Sequence, residues 1–212
     1  MAIAAMASAG AVLALNANDV GGTDKPGPGS ILAASNPPGF SVFARAESAK
    51  PDEEVTPIAT DLNATATDLD HFQVLADNLG SFQSRLMAFP AMSGRNVCYS
   101  LLGTTAGHPG MSYCYRPHSS HAPPELADER FSVVAPESRT GDSLEVDTQV
   151  FGVAEDDVAS LRVLVAGTWR QLQIANNGFY LDLPGVPRSE AGIVEATLTD
   201  GSKQLHDLQT GE

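Results

Sequence analysis

Between Pro57 and Gly80 the apolar residues Ile58, Leu62, Leu69, Phe72, Leu75 and Leu79 recur at steps of three and four, interrupted only around Asn63 to Thr67. Such spacing lines one face of a helix. It predicts two short helices, near 57–63 and 68–79, with Pro57 suited to a first helical position, Thr67 as a cap, Asp68 and Asp70 in the following turn, and Gly80 as the stop. Beyond Gly80 the texture changes to short runs of β-branched and aromatic residues divided by glycine and proline. Phe82 to Phe89, Asn96 to Leu102 and Met111 to Tyr115 read as a three-stranded antiparallel meander, with Pro90 to Arg95 and Gly103 to Gly110 as connections.

A second series follows a linker at 117–124: Phe131 to Val134, Leu144 to Gly152, Leu161 to Ala166, Trp169 to Ala175, Phe179 to Leu183, Ile193 to Thr199 and Ser202 to Leu208. Asn176-Asn177-Gly178 and Asp200-Gly201 supply the residues tolerant of positive φ that tight hairpin loops need. Alternation in Leu161, Val163 and Val165, and in Leu172 and Ile174, turns one strand face into a core. Asp156 to Val158 reads as one helical turn between strands, and Phe40-Ser41-Val42-Phe43 as a strand or a docked extended segment. The expected fold class is α+β: a small two-helix plus antiparallel β-meander module over 40–124, then a seven-stranded immunoglobulin-like β-sandwich over 125–212.

Residues 2–15, AIAAMASAGAVLAL, are apolar throughout except Ser8, and resemble the core of an export signal. Fourteen residues rise about 21 Å as a helix, short of a bilayer core, and no Lys or Arg precedes Lys25. We expect a signal or anchor segment over 1–17, whole or truncated, able to tether the chain to a membrane through 1–15. The glycine- and proline-rich stretch 18–39 follows as a flexible linker. An alanine-rich helix buried in the fold is the alternative. Two cysteines, Cys98 and Cys114, lie on neighbouring predicted strands, and an even count in an exported chain favours a disulfide. Closing a loop of that size stabilises by about 3 kcal/mol in the chain-entropy model. Two reduced, buried cysteines in a cytosolic protein are the competing possibility.

The runs Val97-Cys98-Tyr99, Gly110 to Cys114, Val150 to Val158 and Asp200-Gly201 resemble a group of uncharacterised exported proteins of GC-rich bacteria. The resemblance covers most of Phe40 to Leu208. It implies a disulfide-bridged hairpin module ahead of an immunoglobulin-like sandwich, outside the cytoplasm, and brings no established activity or catalytic residues.

Composition, at 42% hydrophobic and 18% charged residues, excludes a wholly disordered chain, a collagen and a coiled coil. Twelve Lys and Arg against 26 Asp and Glu give a net charge of −14, which argues against nucleic acid as a partner. The acid is unevenly spread: residues 78–124 contain no Asp or Glu, where the chain's mean frequency would place about six. That stretch carries Arg85, Arg95 and Arg116 with His108, His118 and His121. Arg95 and Arg116, with His108, are candidates to hold an anionic small molecule or a polysaccharide acid through bidentate bonds. The plainer alternative is that the positive region docks on the acidic remainder.

Other chemistry is thinner. Cys98, Cys114, His118 and His121 could form a tetrahedral zinc set, but their spacing departs from finger patterns. His108, His118 and His121 alone are a copper or zinc candidate. Asp142, Glu145 and Asp147, or Glu155, Asp156 and Asp157, could offer oxygens to calcium without matching a known loop. Asp156-Asp157 is otherwise read as surface charge. Asn63-Ala64-Thr65 fits a glycosylation sequon. No nucleophile elbow, P-loop or dinucleotide fingerprint appears, and no motif calls for a cofactor. The sequence therefore reads as an exported or surface-tethered non-catalytic binding or structural protein. Two alternatives stand beside it: an accessory or hydrolytic enzyme acting on an acidic extracellular substrate near 78–124, and metal binding through the histidines.

Overall fold

The structure, a computed structural model, describes residues 36–45, 55–62, 64–80, 82–92, 94–103, 110–118, 129–139 and 146–210. All of them belong to one compact unit. The expected signal and most of the expected linker lie outside the described residues, as do the sequon's Asn63 and the histidines at 108 and 121.

Two short helices, α1 (Val55–Asp61) and α2 (Ala66–Leu69), precede strands β1 (Gln73–Leu79), β2 (Ser84–Ala91), β3 (Asn96–Leu102) and β4 (Met111–Tyr115). These strands form sheet A, an antiparallel meander in chain order. Next come β5 (Phe131–Val134), β6 (Glu137–Arg139), β7 (Val146–Ala154), β8 (Val158–Val165), β9 (Thr168–Leu172), β10 (Ile174–Ala175), β11 (Gly178–Leu183), β12 (Ala191–Leu198) and β13 (Lys203–Asp207). Sheet B runs β10-β11-β7-β5, with β6 also paired to β7, and sheet C runs β13-β12-β8-β9.

The layering follows from which strands are apolar on both faces. From Leu86 to Ala91 in β2, Val97 to Leu102 in β3 and Thr148 to Ala154 in β7, every residue is buried. A strand one face of which met water would alternate instead. Along β2 and β3, Met87, Phe89, Ala91, Cys98 and Leu102 pack with Val55 and Ala59 of α1. The alternate residues Leu86, Ala88, Val97, Tyr99 and Leu101 pack against Phe151 and Val153 of β7. The other face of β7 joins Val150 and Ala154 to Leu161, Val163, Val194 and Ala196 of sheet C. The order is therefore helices, sheet A, sheet B, sheet C. A polar tie crosses the first sheet interface, where the Tyr99 and Ser132 hydroxyls lie 2.8 Å apart.

This architecture overturns the α+β expectation. The helices are two short pieces, and three antiparallel sheets dominate the described residues. The seven-stranded immunoglobulin-like sandwich is likewise replaced by nine strands among the described residues, five in sheet B and four in sheet C. Sheet B is no solvent-facing leaf of a sandwich, because sheet A covers the face that such a fold leaves open.

The predicted second helix is also corrected: its residues from Gln73 onward are β1, the edge strand of sheet A. Register shifts between Val74 and Ala76 and between Ala76 and Leu79 disturb the pairing with β2. Bulges of this kind break the two-residue rhythm, so apolar positions in a strand fall at helical intervals. Phe72 and Val74 face the helices, whereas Leu75, Ala76 and Leu79 face sheet B. Thr65, not Thr67, caps α2, its side chain accepting from the Asp68 N–H while the Asp68 carboxylate accepts from the Thr65 N–H. Ser41–Ala44 is a 3-10 turn rather than a strand, and Val158 opens β8 rather than closing a helical turn.

Truncating Phe151 removes a ring at the contact of two sheets. Phe151→Ala is expected to lower stability to urea by about 3–5 kcal/mol; a loss below about 1 kcal/mol would show that this ring does not hold the layers together.

Candidate functional site

The sequence-derived candidates start from the sheet A hairpin. Cys98 and Cys114 face each other in the β3–β4 register and are joined in a disulfide. Cys98 is fully buried against the helices, whereas Cys114 is exposed on the edge strand. The bond consumes both thiols, which removes them from the four-ligand zinc set considered above.

Register places two of the candidate arginines at the same end of the β3–β4 pair, one residue out of level. Tyr115 pairs with Val97, so Arg116 comes level with Asn96, and Arg95 is the preceding residue. Arg95 and Arg116 thus sit at one end of the β3–β4 pair, both exposed. Arg85 pairs with Leu102 at the opposite end and makes a 3.4 Å surface ion pair with Asp77. Such a pair contributes at most about 1 kcal/mol. His118 follows Arg116 by two residues and is half-buried.

His118 leads to a cluster that the sequence reading missed. The backbone N–H of His118 donates to Glu155 Oε1 at 2.6 Å, and the Tyr115 hydroxyl lies 2.7 Å from the same oxygen. Arg130 Nη1 donates to Glu155 Oε2 at 3.2 Å and also reaches Asp157 Oδ2 at 3.0 Å. Glu155 is only 3% exposed. It ends the buried run of β7, so its carboxylate is carried into the interior and must find hydrogen-bond donors there.

The next residue fastens the amino-terminal side of the described chain. Asp156 accepts from the Ser41 N–H and hydroxyl, each at 2.8 Å, and from the Asn177 side-chain amide at 2.9 Å. Asn177 Oδ1 in turn accepts from the Val42 N–H at 3.2 Å, and the Asp156 N–H donates to the Gly39 carbonyl at 2.7 Å. Phe40, Val42 and Phe43 are thereby held in the core between sheets A and B. Gly39 has φ +78°, and a Cβ there would crowd the Glu155 carboxylate at 2.9 Å.

Chemically this arrangement fastens elements together. The donors aimed at Glu155 and Asp156 are N–H and O–H groups, which fill the lone pairs that a cation would need. Among the described residues no group of three His, Cys, Asp or Glu is arranged to hold a metal. Of the other calcium candidates, Asp147 Oδ1 accepts from the Gly185 N–H, while residues 142 and 145 lie outside the described chain. Asp156 lies at the surface, as the reading of Asp156-Asp157 as surface charge has it, but these bonds also make it a fastening point. A carboxylate triplet directly after the apolar run Val150 to Ala154 was the available sign.

Burial raises the Tyr115 phenol well above its ordinary value, and the neighbouring Glu155 charge pushes the same way. Burial likewise raises Tyr99, opposed in part by its bond to Ser132. Comparison with family models, with curated proteins and with solved structures finds no match to this chain.

A phenol whose folded pKa exceeds its unfolded value of about 10 adds stability below that value, and the contribution is lost as pH climbs towards the folded one. Tyr99 and Tyr115 together should lower stability to denaturant by about 3 kcal/mol per pH unit above pH ~10, and the part-exposed Tyr180, raised by burial and by the Asp182 charge, should add a smaller share. Tyr115→Phe should remove between a third and a half of the total slope, the Tyr99 and Tyr180 phenols supplying the rest. Tyrosinate absorbance showing the Tyr99 and Tyr115 phenols ionising near pH ~10 in the folded protein would contradict the assignment.

Proposed function

We propose that this protein is an exported or surface-tethered, non-catalytic binding protein that takes an anionic group at the Arg95–Arg116 end of sheet A. The observation that carries the reading is the register. It sets two solvent-exposed guanidinium-bearing residues at one strand end, inside a stretch without a single carboxylate, in a chain of net charge −14. Guanidinium forks match the planar geometry of carboxylates, so a sugar acid or another small carboxylate is the ligand class. The Cys98–Cys114 disulfide supports an oxidising, extracytoplasmic setting. The apolar segment 2–15 would supply the tether and 18–39 the linker, in keeping with the exported proteins that the sequence resembles.

An enzyme acting on an acidic substrate would need a deep pocket around Arg95 and Arg116. Exposure of both at a strand end supports binding over turnover. Metal handling would require the imidazoles of His108, His118 and His121 to converge.

Two measurements test the proposal. Thiol titration of the unfolded, unreduced protein should find no free thiol, and two after reduction; two before reduction would remove the argument for export. In buffer of about 10 mM ionic strength, where screening is weak, immobilised polygalacturonate should retain the protein. Replacing both arginines, Arg95→Gln with Arg116→Gln, should weaken retention at least about tenfold. Absence of retention even at that ionic strength would dispose of the anionic site.

A further inference from the structure

No described layer covers the outer face of sheet C, and its side chains form a pattern of their own. Trp169 is the chain's one tryptophan, and it is 39% exposed on edge strand β9. Arg162 of β8 lies with its guanidinium carbon 4.3 Å from the centre of the indole ring. The same guanidinium donates to Glu195 Oε1 of β12 through Nε at 3.0 Å and Nη2 at 2.8 Å. Lys203 Nζ of β13 reaches that oxygen at 3.0 Å. Bonding to these two cations, Arg162 first, holds the Glu195 carboxyl below the usual carboxylate range, so the face keeps charges of both signs. Leu205, opposite Glu195 in the register, is 60% exposed.

A second feature adjoins this row. Gln171 pairs with Arg162, and beside it a shallow groove of about 400 Å³ is lined by Ser160, Gln171, Leu172, Gln173 and Ile174. The face therefore offers a part-exposed indole, held on one side by the Arg162 guanidinium, an amide and a hydroxyl at the groove, and a cation–carboxylate–cation row, spread along neighbouring strands.

We infer that the outer face of β8 and β9 binds an uncharged pyranose chain, one sugar ring stacking on Trp169 and the chain continuing into the groove at Gln171. The ligand class follows from the chemistry. A pyranose ring presents apolar C–H groups on one face, which suit an indole, and hydroxyls around its rim that donate and accept at once. Arg162 and Lys203 supply donors, Glu195 supplies an acceptor, and Gln171 supplies both. A globular protein partner would favour a desolvated apolar centre over this mixed surface. Nucleic acid is opposed by the net charge of −14. Because both cations already share Glu195, the face has no need of an anionic sugar, which separates it from the Arg95–Arg116 end of sheet A.

The lone tryptophan makes the test direct, since its emission reports this face alone. Titration of the full chain with cellohexaose, xylohexaose and chitohexaose should give a saturable change in emission with at least one of them. In affinity electrophoresis on the matching polymer, Trp169→Ala should bind at least about tenfold more weakly, with Trp169→Phe recovering part of the loss. Should Trp169→Ala fail to fold, Gln171→Ala, at an exposed position, is expected to show the same weakening. Arg95→Gln with Arg116→Gln should leave this binding unchanged. The inference is overturned if all three oligosaccharides leave the emission unaltered at millimolar concentration, if Trp169→Ala retains full affinity, or if only a protein ligand perturbs the indole.

Discussion

Strand β7 is buried on both of its faces, and that double burial sets the arrangement of everything around it. Phe151 and Val153 need sheet A, while Val150 and Ala154 need sheet C. Neither neighbour could be withdrawn without exposing a row of apolar side chains to water, at roughly 25 cal/mol for each Å² uncovered. Close approach is part of the same constraint. A Cβ at Gly152 would collide with the Ser132 carbonyl and come within 2.7 Å of the Phe179 ring. The middle sheet thus demands glycine at one point and bulk at its neighbours.

The end of this strand explains the polar chemistry of the molecule. A chain leaving a fully buried strand cannot expose its next residue at once, so Glu155 is drawn inside and answered by Tyr115, Arg130 and the His118 N–H. Removing one partner from such a set costs more than the set contributes, because the charge left behind is stranded. The same turn catches Gly39 to Val42 through Asp156 and Asn177. The sheet A hairpin, the entry to β5 and the segment that leads to the expected linker are consequently fastened at one place.

The elements were more legible in the sequence than their assembly. Phe131 to Val134 and Asn96 to Leu102 could be read to the residue, and Asn176 and Asn177 take the positive φ that their turn chemistry demands. The facing positions of Cys98 and Cys114 were also legible, because neighbouring strands of a meander bring such residues opposite. β1 was not, since its bulges imitate helical spacing, and β6, three residues long, carries too short a pattern to register. Nor was the stacking of sheet A on sheet B. An apolar run such as Val150 to Ala154 reports burial without naming what covers each face. At the candidate sites, Arg95 and Arg116 stood out by the local lack of acid. At Glu155 only the carboxylate triplet gave a local sign, because its partners Tyr115 and Arg130 stand 40 and 25 residues away; the Trp169 face needs the pairing of β8 with both β9 and β12, which brings Glu195 to Arg162 across 33 residues.

Both proposed binding surfaces, the cations at one end of sheet A and the indole on the outer face of sheet C, lie at the margins of the core that surrounds the middle sheet. The central claim is that sheets A, B and C share one cooperative core organised by β7. Native-state hydrogen exchange tests it most directly. The account predicts that the slowest amides of β2, β3, β7 and β8 open with the same free energy, equal to that of global unfolding. Exchange of the β2 and β3 amides through a separate, distinctly lower-energy opening, with β7 and β8 still protected, would contradict it.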